Sequence, residues 1–271
     1  MNKTIILIPH FNNFKGLVKT ISSINSNENV DVLIVDDGSN KQLLNEEELK
    51  KYSKFNGEFF FKYLEQNSGI EIALNQGLDF INKLKKHSYI ARIDCGDVCL
   101  GMRFAIQEDF LTNNNSVVLV GSNAVAVDIN GKELYKTKFP EKHLEIKKKM
   151  YKNAMFLHPC VMFRISVLND IGYYPTKYEA AEDYAYFFNI LKKYETYNLQ
   201  QFLINYEINP NGISISKRKK QVKNRIKIIK DNFYFGFWPM YGLIRNYVLL
   251  SIPNGLILKL KKIKNEFNKT N

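Results

Sequence analysis

A chain of 271 residues with 16 Tyr and 19 Phe and a moderate share of charged residues can bury a full core, which excludes a disordered or fibrous protein. Its three cysteines, Cys95, Cys99 and Cys160, form neither a closely spaced metal pair nor an even disulfide set, so a reduced cytoplasmic compartment is expected. The net charge of +12 lies at one end: residues 217–271 hold 14 Lys+Arg against 2 Asp+Glu, while residues 1–216 hold 25 of each, a neutrality that counts against the alternative of a basic nucleic-acid-binding protein.

Thr4–Ile8 is a continuous apolar, β-branched run, too short for a signal peptide and closed by Pro9, so it reads as a buried strand. Leu17, Val18, Ile21 and Ile24 then recur at helical spacing. Val30–Val35 is a second buried strand, a charged helix is expected around Asn45–Lys54, and Glu58–Leu64 is a third strand. Asn67-Ser68-Gly69 opens a helix from Ile70 to about Lys85, and Tyr89–Ile93 is a fourth strand. This alternation of strand and helix favours a mainly parallel sheet with right-handed crossovers. In such sheets ligands bind beyond the C-terminal strand ends. The polar clusters Pro9–Asn12, Asp36–Ser39, Asn67–Gly69 and Asp94–Asp97 all fall there.

Beyond Arg103 a helix runs to about Asn113, and a strand covers Val117–Val120. Asp128-Ile129-Asn130-Gly131 is a hairpin turn between Ala124–Val127 and Leu134–Phe139. A lysine-rich helix, Lys142–Lys152, precedes the turn at His158-Pro159-Cys160 and a strand to Arg164. Glu182-Asp183 begins a helix to Lys193, and Glu195–Ile208 alternates as one or two strands. The main domain is therefore read as 1–216, followed by a basic helical tail, 217–271. In the tail, Phe233, Tyr234, Phe235, Phe237, Trp238 and Tyr241 follow the run Lys217-Arg218-Lys219-Lys220. No stretch reaches the ~18–20 apolar residues of a spanning helix. Such a tail suits an anionic membrane interface, or packing on the main domain or a second subunit.

Asp94 and Asp97 stand at the mouth of a buried strand, where carboxylates are costly unless they bind a cation or sugar hydroxyls, or cap the next helix. Between Ile5 and Glu207 the chain carries, in order, Pro9-x-Phe11-Asn12, Val35-Asp36-Asp37-Gly38-Ser39, Asn67-x-Gly69 and Leu74-Asn75-x-Gly77. Ala91-Arg92-Ile93-Asp94-x-x-Asp97 follows with Arg103 and Gln107, then Gly121-Ser122, His158-Pro159-x-Val161-Met162-Phe163-Arg164, and Glu182-Asp183-Tyr184. This ordered set resembles the family 2 inverting glycosyltransferases, which have a GT-A-type nucleotide-sugar-binding α/β fold.

The resemblance implies that Pro9, Phe11, Asn12, Asp36, Asp37, Asn67, Gly69, Asn75, Arg92 and Asp94 form the donor site. The Phe11 ring would stack on a base, Asp36 and Asp37 would accept from base or ribose, and Asn67 and Gly69 would bring helix N–H groups to the nucleotide. It also implies that Asp94 and Asp97 face a divalent cation, Mn or Mg. Gly96 replaces an acid that most relatives carry, so the cation is expected to be loosely held, with Arg92 or His158 left to neutralise the leaving diphosphate. Asp183 matches the general base, and Glu182 beside it would orient the acceptor.

Plainer roles stand beside these: an Asp-Gly turn, an N-cap at Asn67, a structural ion pair of Arg92 with Asp94 or Asp97, a satisfied turn histidine at 158, and acids favouring a helix start. The expected activity is inverting hexosyl transfer from a nucleotide-sugar, first a UDP-sugar, to a surface-glycan or glycolipid acceptor of the capsule or lipopolysaccharide kind. The expected location is the cytoplasmic face of the membrane. A transferase that binds without catalysing is the alternative that Gly96 raises. A nucleotidyltransferase would carry a glycine-rich basic loop where this chain has Pro9-His10-Phe11-Asn12.

Overall fold

The computed structural model describes residues 2–209, 212 and 216–252. The four apolar runs become β1 (Thr4–His10), β2 (Val30–Asp36), β3 (Phe59–Tyr63) and β4 (Tyr89–Arg92), separated by α1 (Phe14–Ser22), α2 (Glu46–Lys50) and α3 (Ile70–Leu84). They pair in parallel in the order β3-β2-β1-β4, with Thr4 opposite both Val30 and Tyr89. Alternate side chains of a strand leave opposite faces of the sheet. Ile5 and Leu7 of β1 accordingly enter one core layer, and Ile6 and Ile8 enter the other. That two-sided burial explains why β1 reads as an unbroken apolar run rather than an alternating one.

Downstream come β5 (Val98–Cys99), α4 (Arg103–Asn113), β6 (Val117–Val127), β7 (Glu133–Thr137), α5 (His143–Lys149) and a 3-10 turn (His158–Cys160). The series continues with β8 (Met162–Arg164), α6 (Val167–Ile171), α7 (Glu182–Lys193), β9 (Glu195–Glu207), α8 (Arg218–Asp231) and α9 (Phe237–Ser251). Here the sheet becomes mixed. β8 runs antiparallel between β4 and β6, β9 lies parallel to β6, and β5 and β7 add short antiparallel pairings.

Two features depart from the sequence reading. Val117–Val120 and Ala124–Val127 belong to one buried strand, because the polar residues between them are satisfied inside the sheet. The Asn123 amide donates to the Gln200 carbonyl (2.8 Å) and accepts from the Phe139 N–H (2.8 Å), while the pairing with β9 shifts around Ser122–Ala124. The elements β5 and α6 were not anticipated, since neither is long enough to carry a period.

The basic tail begins inside the fold. Val222, Ile226, Ile228 and Ile229 of α8 are buried, and Ile228 and Ile229 share a core layer with Tyr184, Phe187 and Phe188 of α7. Each such isoleucine contributes about 1.5–3 kcal/mol on burial. The next helix, α9, leaves Phe237, Met240, Ile244, Tyr247 and Val248 exposed, and Phe235 just before it is also exposed. No described helix is long and apolar enough to cross a membrane. The last basic run of the expected tail, in 253–271, lies outside the described residues.

Helix α3 sits close on the sheet because Gly77 has no side chain. A Cβ there would stand 2.4 Å from Leu7 Cδ1 and 3.0 Å from Val35 Cγ2. Gly77→Val should therefore destabilise the protein by about 1–3 kcal/mol, overpacking outweighing any gain in backbone order. Urea unfolding checks this, and a variant as stable as the parent would contradict the packing account.

Candidate active site at the strand ends

β1 and β2 end side by side, with His10 opposite Asp36. The buried imidazole Nδ1 lies 2.6 Å from Asp36 Oδ1, and the Ser39 hydroxyl donates to the same oxygen at 2.6 Å. Beyond them opens a cleft of about 530 Å³, lined by Phe11, Asp36, Ser39, Leu43, Tyr63 and Asn67, among others. Phe11 (45% exposed) and Tyr63 (52%) offer it aromatic surface. The loops that frame the cleft are tied by the chain's own polar groups. Asn12 Oδ1 accepts from the N–H groups of Asn40, Lys41 and Gln42. Asp37 accepts from the Ser68 N–H (2.8 Å) and the Gly69 N–H (3.0 Å), so it caps the approach to α3, and its burial raises its pKa. Gly38, at φ +69°, lets the two loops cross: a Cβ would lie 2.4 Å from the Gln66 carbonyl carbon.

Thr20 of α1 shapes the mouth of β4. Its hydroxyl donates to the Asp97 carbonyl (2.8 Å) and accepts from the Gly96 N–H (3.0 Å), while Gly96 takes φ +106°. Pro9, at the end of β1, accepts from the Cys95 thiol. Arg92 is fully buried and ion-paired to half-exposed Asp94; its Nε and Nη1 have no partner. Asp97, also buried, accepts the Glu207 N–H at 2.8 Å through Oδ1, and its Oδ2 is unpartnered. Burial and the neighbouring Asp94 charge push the Asp97 carboxyl up to about 8.

The divalent cation implied by the family pattern meets a poor donor set here. Among the described residues no three His, Cys, Asp or Glu side chains converge on one point. Asp97 is enclosed, Asp94 is committed to Arg92, and position 96 has no side chain. A Cβ at Gly96 would face the Glu207 carboxylate at 3.3 Å, and that carboxylate already holds the Lys19 ammonium at 2.8 Å. The residues present do not fit a cation held by the protein alone.

On the other side, the 3-10 turn with Pro159 places His158 Nε2 2.9 Å from the Tyr174 hydroxyl. Burial and the Arg92 charge keep this imidazole well below its ordinary pKa, hence neutral. Asn75 reaches the same segment, donating to the Tyr174 carbonyl (2.9 Å) and accepting its N–H (2.8 Å). α7 then opens with the acidic pair. Glu182 is buried with Oε2 unpartnered, and burial together with Asp183 pushes it up to about 8. Asp183 is half-buried and accepts the Tyr184 N–H at 2.6 Å; burial raises its pKa, and Arg225 and Arg92 oppose the rise. The charges of Arg92 and Asp94 both reach Asp183, so the acidic pair shares one electrostatic neighbourhood with the mouth of β4. Two adjacent acids with different burial can divide proton holding from proton taking.

Phe11, Asp36 and Asn67 thus meet in the cleft, while Arg92, Asp94, His158, Glu182 and Asp183 gather around Tyr174. The polar groups of Asn12, Asp37 and Asn75 are engaged by main chain, where they build the walls. Tyr63, Tyr174 and Glu207 escaped the sequence reading. Tyr63 is signalled only by its place at the end of a strand, and the other two carry no local pattern.

The model of the family described as Glycosyl transferase family 2 matches residues 5–172. An uncharacterised glycosyltransferase of Methanocaldococcus jannaschii is 27% identical over 269 residues, spanning 93% of this chain and 90% of the relative. The poly(ribitol-phosphate) beta-N-acetylglucosaminyltransferase TarP of Staphylococcus aureus is 28% identical over 231 residues, 80% of this chain and 67% of that one. Among solved structures, residues 1–349 of S. aureus TarS superpose with a TM-score of 0.64 at 20% identity, covering 99% of this chain and 78% of that one. The same TarS fragment with bound UDP-GlcNAc gives a TM-score of 0.62 at 20% identity, over 84% and 66% of the respective chains. The fold is the GT-A type, with a helical C-terminal region.

Glu182 and Asp97 keep protons up to about 8 in the folded chain but lose them near 4.5 and 3.8 when unfolded. The folded state therefore binds more protons across that window, and stability falls as pH rises through it. Thermal unfolding should show Tm declining from about pH 5 to about pH 8, with a shallower decline in Glu182→Gln. A variant whose slope equals the parent's would contradict the assignment.

Proposed function

The chain belongs to glycosyl transferase family 2, and from that premise we propose that it moves a hexosyl group from a nucleotide-sugar, first a UDP-sugar, to a hydroxyl of a surface-glycan or glycolipid acceptor. The configuration at the anomeric carbon inverts. The observation that carries this reading is the acidic pair at the start of α7, held within the field of the Arg92–Asp94 ion pair. The names of relatives agree with it: TarS has been solved with UDP and with UDP-GlcNAc, and TarP is named for sugar transfer to poly(ribitol-phosphate).

The base of the donor lies against Phe11 and Tyr63, with Asp36 at its polar edge. Asp94, fixed by Arg92, accepts a hydroxyl of the ribose or sugar. Asp183 takes the proton of the acceptor hydroxyl while that oxygen attacks the anomeric carbon from the face opposite the diphosphate. The bond from that carbon to the diphosphate oxygen breaks, and its electron pair leaves with the nucleoside diphosphate. Glu182 stays protonated near neutrality and donates to the acceptor rather than competing for its proton. Arg92 supplies fixed positive charge beneath the departing anion.

The exposed apolar face of α9 lies beside lysine-rich α8, a pairing of surface types that suits an anionic membrane leaflet. Docking there would bring the site to a lipid-linked acceptor.

Asp183→Asn should lower transfer by about 10²–10⁴-fold while UDP binding persists, as expected for loss of a general base. Full turnover in that variant would remove Asp183 from the role. A thermal-shift panel of nucleotides and nucleotide-sugars, with and without manganese, should single out uridine donors and tests the cation expectation. A preference for another base would overturn the UDP reading. For the surface, Phe237→Asp combined with Ile244→Asp should release the protein from liposomes rich in anionic lipid. Unchanged co-sedimentation of the folded double variant would rule out α9 as the docking face.

A further inference from the structure

We propose that α8 is the positioning element of the acidic pair: Asn224 and the Glu179 ion pairs hold the turn before α7 in a backbone conformation that it does not favour alone. The inference rests on the reading of Asp183 as the base. Ala180 stands two residues ahead of Glu182 and takes φ +60°, the left-handed region in which a Cβ is unfavourable. It is only 6% exposed, so the conformation is enclosed rather than a feature of a free loop. The turn closes with the Ala181 N–H donating to the Tyr178 carbonyl at 2.8 Å, and the Ala185 N–H then reaches the Ala181 carbonyl at 3.1 Å to begin the helix. Backbone strain of this kind persists only where surroundings over-determine it.

The surroundings come from α8 and the residue before it. Asn224, 6% exposed, donates its amide to the Glu179 carbonyl at 2.9 Å rather than to its own helix. Lys217 (2.8 Å) and Lys220 both grip the Glu179 carboxylate, and Asp231 accepts from the Tyr178 hydroxyl. The polar contacts thus converge on residues 178 and 179, the two positions directly before the strained alanine. The apolar contacts of the same helix, through Ile228 and Ile229, lie in the core with α7 and already account for its attachment. Arg225 completes the arrangement, its guanidinium 5.4 Å from the Tyr184 ring and its charge acting on Asp183. Adhesion through isoleucines sets where α8 lies; the polar side chains set where α7 starts. Residues that a charge count assigns to a basic surface therefore act on the chemistry.

The test uses the full chain. Hydrogen exchange of the ligand-free protein should show Asn224→Ala losing at least about tenfold protection over residues 178–183, while α8 stays protected. Glu179→Gln, a milder change at a partly exposed residue, should lose protection in the same place. Turnover is read as UDP released from UDP-GlcNAc, or from the UDP-sugar with the largest thermal shift, with water as the nucleophile that takes the sugar and gives its proton to Asp183. Both variants should lose about tenfold in kcat, equivalent to about 1.4 kcal/mol of barrier, with KM for the donor unchanged. Parent kcat should fall with ionic strength as the lysine pairs are screened, and Glu179→Gln should lack that dependence. Ala180→Gly should restore turnover to Asn224→Ala, because glycine adopts the left-handed turn without being held. Unchanged exchange at 178–183, or no rescue by Ala180→Gly, overturns the proposal while leaving the base in place. If Asp183→Asn releases UDP at the parent rate, the base reading fails and the positioning proposal falls with it.

Discussion

A guanidinium with almost no contact with water lies beneath the strand ends, and its charge acts on every buried ionisable group gathered there. Removing Arg92 from solvent is costly, and the structure offsets this with one ion pair, to Asp94. That pairing fixes the carboxylate at the mouth of β4. Burial, and after it this charge, keep His158 neutral; the charge also restrains the upward shift of Asp97 and reaches Asp183 and Tyr174. Two guanidinium nitrogens remain without a protein partner. The charge of one buried cation thus bears on residues just beyond β4, at the start of α7 and in the turn between β7 and β8.

The acidic pair sets two neighbouring carboxyls in different surroundings. Glu182 and Asp183 are neighbours in sequence at one helix start, yet Glu182 is turned into the interior and Asp183 is half open. Burial and the adjacent negative charge both favour the protonated form of Glu182. Burial raises the Asp183 pKa as well, and there the Arg225 and Arg92 charges oppose the rise. Family membership identifies the chain as a glycosyltransferase, and the proposal that Asp183 is the base builds on this difference in exposure.

Much of the fold could be read from the chain. Buried parallel strands leave continuous apolar runs, and polar clusters after them mark the ends where ligands gather, as at Pro9–Asn12 and Asp36–Ser39. Division of labour within those clusters was harder to read. Whether Asp36 or Asp37 faces the cleft depends on partners elsewhere in the chain: Asp37 answers to Ser68 and Gly69, and Asn75 to Tyr174. Gly96 signals that a carboxylate is missing, but nothing local shows that Glu207 faces the gap from β9. Charge counting set the basic tail apart at residue 217. It could not register Ile226, Ile228 and Ile229, which carry α8 into the core between its lysines.

The cross-ties of the cleft bear on how a ligand would be recognised. Asn12, Ser39 and Asp37 bind the two rim loops to each other and to β1. A molecule entering such a cleft has little backbone to immobilise, so its affinity is not diminished by the ordering entropy that a floppy rim would impose. A preorganised cavity selects by exclusion: a ring of the wrong outline cannot recruit an alternative loop arrangement. Selection of that kind is built into the fold, through side chains that tie one loop to the next.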